Sequence, residues 1–309
     1  MSGTDQAHTS TESGFDAGEV IIGHVSNSSL EHPILHLPTI FGVDFSITKH
    51  VLMLWIVATL VFVAITWTVR KYLKQENPVP SGFMTAIEAI VQFIRDSIVL
   101  PNVGKKYLNT WTPLILTFFF FIFAANAIGL VPIFDVIGAI SRFIFGDSSH
   151  DHSFVNSLLH GSTTATGNYN VTAGLATITF FAIILAGSKA HGFINHWKNL
   201  APSGLAWPIY IILIPIEIIG MFVRPFALTM RLAANMTGGH IAILAIVSFV
   251  FIFTGLFNSV FAGIGVGALV SVPLAVAISS LEIIVIIVQA YVFTMLSAVF
   301  IGMAINVHH

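Results

Sequence analysis

Between Pro208 and Leu256 the chain runs for 49 residues without a turn signal and almost wholly apolar, yet Glu217, Arg224, Arg231 and His240 interrupt it. As one α-helix this stretch is about 73 Å long, more than twice the ~30 Å that an upright helix needs to cross a hydrocarbon core. A helix of that length has to tilt steeply or break. The alternative is two upright spans joined by a loop at Arg231-Leu-Ala-Ala-Asn235-Met-Thr-Gly-Gly-His240, which would put Arg231 outside the core. Glu282 follows in the next apolar run, so ionisable groups recur through the C-terminal third. An arginine at mid-bilayer costs between ~3 and ~17 kcal/mol, and it persists only with a water path, a partner or a function.

Composition removes the other broad classes. Only 8% of the 309 residues are charged, against roughly 25% in a soluble domain. Twelve Lys/Arg stand against fourteen Asp/Glu, so there is no basic face for a phosphate backbone and no nucleic-acid partner is expected. The absence of cysteine excludes a disulfide framework, a thiolate metal site and a thiol nucleophile. The expected fold is an all-α polytopic membrane protein with about five crossings, an amphipathic surface helix and a long tilted C-terminal helical hairpin.

Four regions follow along the chain. Residues 1–47 form a polar tail with six acids and no Lys or Arg, unlike a cleaved signal peptide. Residues 48–110 hold a first span, His50 to Val69, ending in Arg70, Lys71 and Lys74. Pro78 and Pro80 then break the chain before a helix whose Phe83, Ile87, Ile90, Val91, Ile94 and Ile98 lie on one stripe, as in a helix lying on the membrane surface. Residues 111–200 hold spans two (about Trp111 to Phe134) and three (Val171 to about Leu185) with a polar outer loop between them. Residues 201–309 form the long hairpin. With the N-terminus outside, the outer segments carry Lys49 and Arg142. The inner ones carry Arg70, Lys71, Lys74, Arg95, Lys105, Lys106, Lys189 and Lys198. Positive residues are retained on the cytoplasmic side, so the C-terminus is expected inside.

The hairpin has an internal register. In two antiparallel helices, residues at equal depth have sequence numbers of constant sum, and the pairs Arg231 with Gln289 and His240 with Glu282 give nearly the same one. The implied turn is near residue 260, within the Asn/Ser/Gly cluster from Asn258 to Gly267. Along the first arm Glu217, Arg224 and Arg231 recur every seven residues and share a face with Asn235. This register favours the tilted helix over two upright spans.

The segment Arg231 to His240, together with Glu282 through Gln289-Ala-Tyr-Val-Phe, resembles subunit a of the F-type ATP synthase. So do Asn126-Ala-Ile-Gly-Leu-Val-Pro132, Asn168-Tyr-Asn-Val-Thr172 and Pro225-Phe-Ala-Leu. The resemblance implies a non-catalytic subunit of the membrane sector, with two offset half-channels that pass protons to and from a rotating c-ring. It makes Arg231 the essential arginine, Asn235 and Gln289 its neutral neighbours, and Glu217 a group of the inner half-channel. His240 and Glu282 become the relay of the outer one. Many bacterial relatives carry Glu nine residues after the arginine and His seven before the glutamine; here the two are exchanged. The implied partners are the c-ring, subunit b of the stator stalk, the F1 ATPase head and lipid. The implied setting is a bacterial inner membrane, and no cofactor is expected.

Other readings remain beside these. Arg231 could form a structural ion pair with Glu217 or Glu282, Glu217 could simply reach the interface, and of two readings of Arg224, a lipid anchor that snorkels to the interface or a group that hydrates the inner channel, the anchor is favoured. His150-Asp151-His152 has metal-ligand spacing but reads as a solvated loop, and His191 and His196 as interfacial. The competing function is a stand-alone ion channel or secondary transporter, although no internal duplication is visible. An intramembrane metalloenzyme ranks last, because no His-Glu-x-x-His cluster exists.

Overall fold

In the computed structural model, the residues described are 18, 21, 22, 46–74, 81–130, 164–198 and 207–306. The polar tail, the outer-loop His150-Asp151-His152 motif and His308-His309 lie outside them, apart from a few residues of the tail. In chain order the helices are α1 (Lys49–Leu73), α2 (Phe83–Phe93), α3 (Leu100–Leu130), α4 (Tyr169–His191), α5 (Phe193–Lys198), α6 (Trp207–Leu256), α7 (Val260–Val266) and α8 (Val272–Ile305). There is no strand among the described residues. Among the described residues, five stretches are long and apolar enough to cross a bilayer: His50–Leu73, Phe83–Leu130, Tyr169–His191, Pro208–Leu256 and Val260–Ile305. The chain is therefore an all-α, multi-pass membrane protein.

Two π-helical segments, Ile94–Val99 and Gly267–Ser271, join α2 to α3 and α7 to α8. Each is followed within two residues by a proline, Pro101 and Pro273. A proline ring has no N–H and collides with the carbonyl four residues back, and a wider π turn relieves that collision without ending the helix. Three residues after Pro101, Gly104 (φ 75°, ψ 166°) kinks α3 in a conformation that favours glycine. The stripe of α2 is thereby set off from span two, which follows Lys105 and Lys106.

At the start of α4, Asn168 is the N-cap, its side chain accepting from the Asn170 N–H at 2.8 Å. Lys189 and His191 close the last turn, where the helix dipole favours cations. Many hydroxyls within the apolar helices are satisfied locally. Thr68, Thr112, Thr229, Ser248 and Thr294 each donate to the carbonyl four residues earlier.

Of the two expected arrangements for the long apolar run, the structure has the single helix. α6 is continuous over 50 residues, and Arg231 to His240 are helical throughout. Pro215 and Pro225 lie inside it. The turn comes slightly earlier than the register argument placed it, at Phe257–Ser259, where Asn258 takes a positive φ of 45°. The returning arm is also not one α-helix. A constant-sum register assumes two uninterrupted α-helices, and the π segment takes up an extra residue in its turn, so one sum cannot hold from end to end.

The chain divides into two compact units, one comprising Met1–Ser26 with Gly238–Leu281, the other Asn27–Thr237 with Glu282–His309. In the first, Gly263 lies so close to Val250 and Thr254 that a Cβ there would fall 2.9 Å from the Val250 carbonyl oxygen. The second has a four-helix core. Ile115, Phe118 and Ile122 of α3, Ala182 and Ile183 of α4, Leu228, Leu232 and Met236 of α6, and Ile286, Phe293 and Ile301 of α8 are all buried in one cluster. Phe118 meets Phe293 edge-on at 5.4 Å between ring centroids.

Candidate functional site

The buried side chains of α6 include Met221, Leu228, Thr229, Leu232 and Met236, a stripe at helical spacing that anchors the helix in the core. At about 100° per residue, the stripe of Glu217, Arg224, Arg231 and Asn235 lies roughly a quarter turn from the packed one. These polar groups therefore run along its edge rather than through the core. Arg231 and Asn235 are both exposed. Arg231 makes no hydrogen bond or ion pair with any described residue.

Glu217 and Arg224 are different. The Arg224 Nη2 donates to Glu217 Oε1 at 3.2 Å, and the guanidinium carbon stands 5.8 Å from the ring centroid of Phe300 on α8. The reading of Arg224 as a lipid anchor is thus replaced: its charge is turned onto the helix. The structural pairing considered for Arg231 with Glu217 is not formed, because Glu217 is taken by Arg224. Helix geometry explains the direction, since side chains tilt toward the N-terminus and Arg224 leans back over two turns toward Glu217. Gly220, between them, leaves the way clear; even a Cβ there would sit 3.9 Å from Arg224 Nη2.

On α8, Glu282 and Gln289 occupy the buried stripe with Ile286 and Phe293, at 3% and 6% exposure. Neither carboxylate oxygen of Glu282 has a hydrogen-bond partner among the described residues. Buried ionisable groups of this kind mark function rather than stability. His240 is half-buried on α6 within the Gly238–Leu281 unit, and Glu282 opens the last segment of the other unit.

One polar cluster went unread in the sequence. Asn126 and Thr166 are fully buried, and the Thr166 hydroxyl donates to Asn126 Oδ1 at 2.5 Å, while Asn126 Nδ2 has no partner among the described residues. The same turn reaches α6, where Thr237 Oγ1 donates to the Gly167 carbonyl at 3.1 Å. Gly129 permits the approach, for a Cβ there would overlap the side chain of Thr164. Asn126 opens one of the sequence motifs and Thr166 lies two residues before the other, Asn168 to Thr172, but nothing in their sequences shows that they meet. Among the described residues no three His, Asp or Glu side chains group as metal ligands.

Comparison with known proteins points to one family. A family profile described as ATP synthase A chain matches residues 51–302. The chain is 42% identical over 296 residues to ATP synthase subunit a 2 of Chlorobium luteolum, covering 93% of this chain and 76% of that one. It is 39% identical over 299 residues to ATP synthase subunit a of Pelodictyon phaeoclathratiforme, with the same coverage. Against ATP synthase subunit a of Chloroherpeton thalassium it is 39% identical over 276 residues, covering 88% of this chain and 71% of the relative.

Proposed function

This chain belongs to the ATP synthase subunit a family, and from that premise we propose that it is the stator half of the proton path, passing protons between two offset half-channels and a rotating c-ring. The supporting observation is the contrast within α6. Of its two arginines, Arg224 is neutralised by Glu217, while Arg231 stands exposed and unpaired among the described residues in a helix apolar enough to span a bilayer.

The chemistry follows from that contrast. A guanidinium stays protonated at any accessible pH. At 4 Å and an effective dielectric of about 20, it stabilises a carboxylate by about 4 kcal/mol, about three pKa units. A protonated acid carried to Arg231 by the ring therefore releases its proton there. The same fixed charge opposes a hydrated proton moving straight between the half-channels, so transfer goes by way of the ring. We assign His240 and Glu282 to the outer half-channel, since an imidazole and a carboxyl group exchange protons near neutral pH. Glu217 lines the inner half-channel, and Asn235 and Gln289 orient Arg231 or hold water without adding charge. The subunit binds no nucleotide and makes no ATP. It works with the c-ring, subunit b and the F1 head in a bacterial inner membrane, with the N-terminus outside and the C-terminus in the cytoplasm. A potential of 100 mV supplies about 2.3 kcal/mol per charge, so several protons must cross for each ATP.

Arg231→Ala tests the reading. The complex should still assemble with its ring, and ATP-driven proton pumping into inside-out vesicles should be abolished. Normal pumping would remove Arg231 from the path. A stand-alone channel or transporter would instead conduct in liposomes without a ring.

A further inference from the structure

We propose that Arg224 is a positioning residue for Glu217, and that the pair keeps the inner half-channel electrically neutral so that Arg231 is its one uncompensated cation. The inference rests on the placement of Glu217 in the inner half-channel and adds what the carboxylate does there. Its basis is geometric: the 3.2 Å contact, the open path over Gly220 and the backing of the guanidinium by Phe300. Both side chains are partly exposed, 28% for Arg224 and 39% for Glu217, so the pair is presented at the edge of the packed face rather than sealed in the core. A salt bridge in that position is a poor stability device.

Neutrality matters because of spacing. Arg224 and Arg231 are seven residues apart, about 10 Å along the axis. An uncompensated charge at 10 Å changes the proton affinity of a ring acid at Arg231 about twofold at the dielectric of water and about fifteenfold at an effective dielectric of 20. Few other charges compete. The remaining ionisable groups of α6 are Arg231, His240 and the Tyr210 phenol, α8 carries Glu282 and the Tyr291 phenol, those of α4 are Lys189 and His191 in its last turn and the Tyr169 phenol, and α3 carries Lys105, Lys106 and the Tyr107 phenol near its start.

The test uses the intact complex in inside-out vesicles, where the inner side faces the medium. ATP-driven pumping is measured against medium pH and normalised to ATP hydrolysis in uncoupler on the same vesicles. Glu217→Gln leaves Arg224 uncompensated, disfavours protonation of the ring acid and moves the half-maximal pH down by about 0.3 to 1.2 units. Arg224→Gln leaves Glu217 uncompensated and moves it up by a similar amount. The double variant returns to the native midpoint, and Arg224→Lys stays near it. A merely structural role lowers assembled complex without shifting the midpoint in opposite directions.

If Glu217 is instead an obligatory proton carrier, the double variant remains as impaired as Glu217→Gln, which overturns the inference but keeps Glu217 in the path. If every variant keeps the native midpoint, the pair is outside the path and the placement of Glu217 falls as well. Should a single variant not assemble, Glu217→Arg with Arg224→Glu replaces it. A native midpoint in that swapped pair supports neutrality, and a displaced one overturns it.

Discussion

Thr166→Val probes the turn that ties span two to α6. The change swaps a hydroxyl for a methyl of similar size, so it opens no cavity, but it removes the donor to Asn126 Oδ1 where both residues are fully buried. Asn126 Nδ2 already lacks a partner among the described residues, so the amide would lose the bond that its oxygen accepts. Leaving a buried acceptor unsatisfied costs about 1–3 kcal/mol. Replacing both partners by apolar groups of like shape, as in Asn126→Leu with Thr166→Val, should cost less than the two single changes together, with a coupling of about 1–2 kcal/mol. The chain has no cysteine, which makes a single introduced thiol a clean reporter. Ala165 is 1% exposed and adjoins Thr166, so Ala165→Cys reacts with a permeant thiol reagent only when the turn opens. On that background Thr166→Val should speed labelling of this chain about fivefold to 150-fold. Labelling no faster than the parent, or strictly additive effects in the double variant, would refute the reasoning.

Three further expectations come from other parts of the molecule. The His196 ring lies against Gly187, 6% exposed and with Nε2 unpartnered among the described residues, and burial together with nearby His191 lowers its pKa from the ordinary 6.5. The unfolded state then binds more protons, so the seating of α5 is fully stable above pH 6.5 and weakens as pH falls below it. The protection factors of α5 amides, which correct each rate for the intrinsic exchange rate at that pH, should fall on acidification in the native chain and stay flat in His196→Leu; pH-independent protection in the native chain would count against it. Gly302→Ala places a Cβ 2.5 Å from the Asn102 carbonyl oxygen and disturbs the neighbouring bond from Asn306 Nδ2 to that oxygen. It should cost about 1–3 kcal/mol, seen as a lower thermal midpoint of the complex, and an unchanged midpoint would show that α3 and α8 separate freely. From the sequence register, exchanging His240→Glu with Glu282→His should retain more pumping than either single change; equal losses in all three would argue against a shared role.

Much of this fold was legible because apolar length carries so much information in a membrane protein. The long run from Pro208 and the stripe of Glu217, Arg224, Arg231 and Asn235 follow from helical period alone, and α6 realises both. The details that escaped depend on events off that period. Pro101 and Pro273 were visible, but a proline in a helix can kink it, end it or widen it into a π turn, and only packing decides which. The π segment at Gly267–Ser271 breaks the constant-sum register on the returning arm for this reason. Arg224 was misread because a lone arginine in an apolar run usually reaches for lipid, and a partner two turns back lies beyond the three- and four-residue spacings at which helix side chains normally pair. The meeting of Asn126 with Thr166 joins residues 40 apart in sequence, across a loop that no periodicity describes.

The central claim concerns what Arg231 faces in the assembled machine. A map of the intact membrane sector that resolves side chains measures it directly. The account predicts the Arg231 guanidinium within about 4 Å of an acidic side chain on a ring subunit, with one water-filled cavity opening to each side of the membrane and neither continuous past it. A guanidinium turned to lipid, paired with an acid of its own chain, or bathed by a single continuous cavity would contradict it.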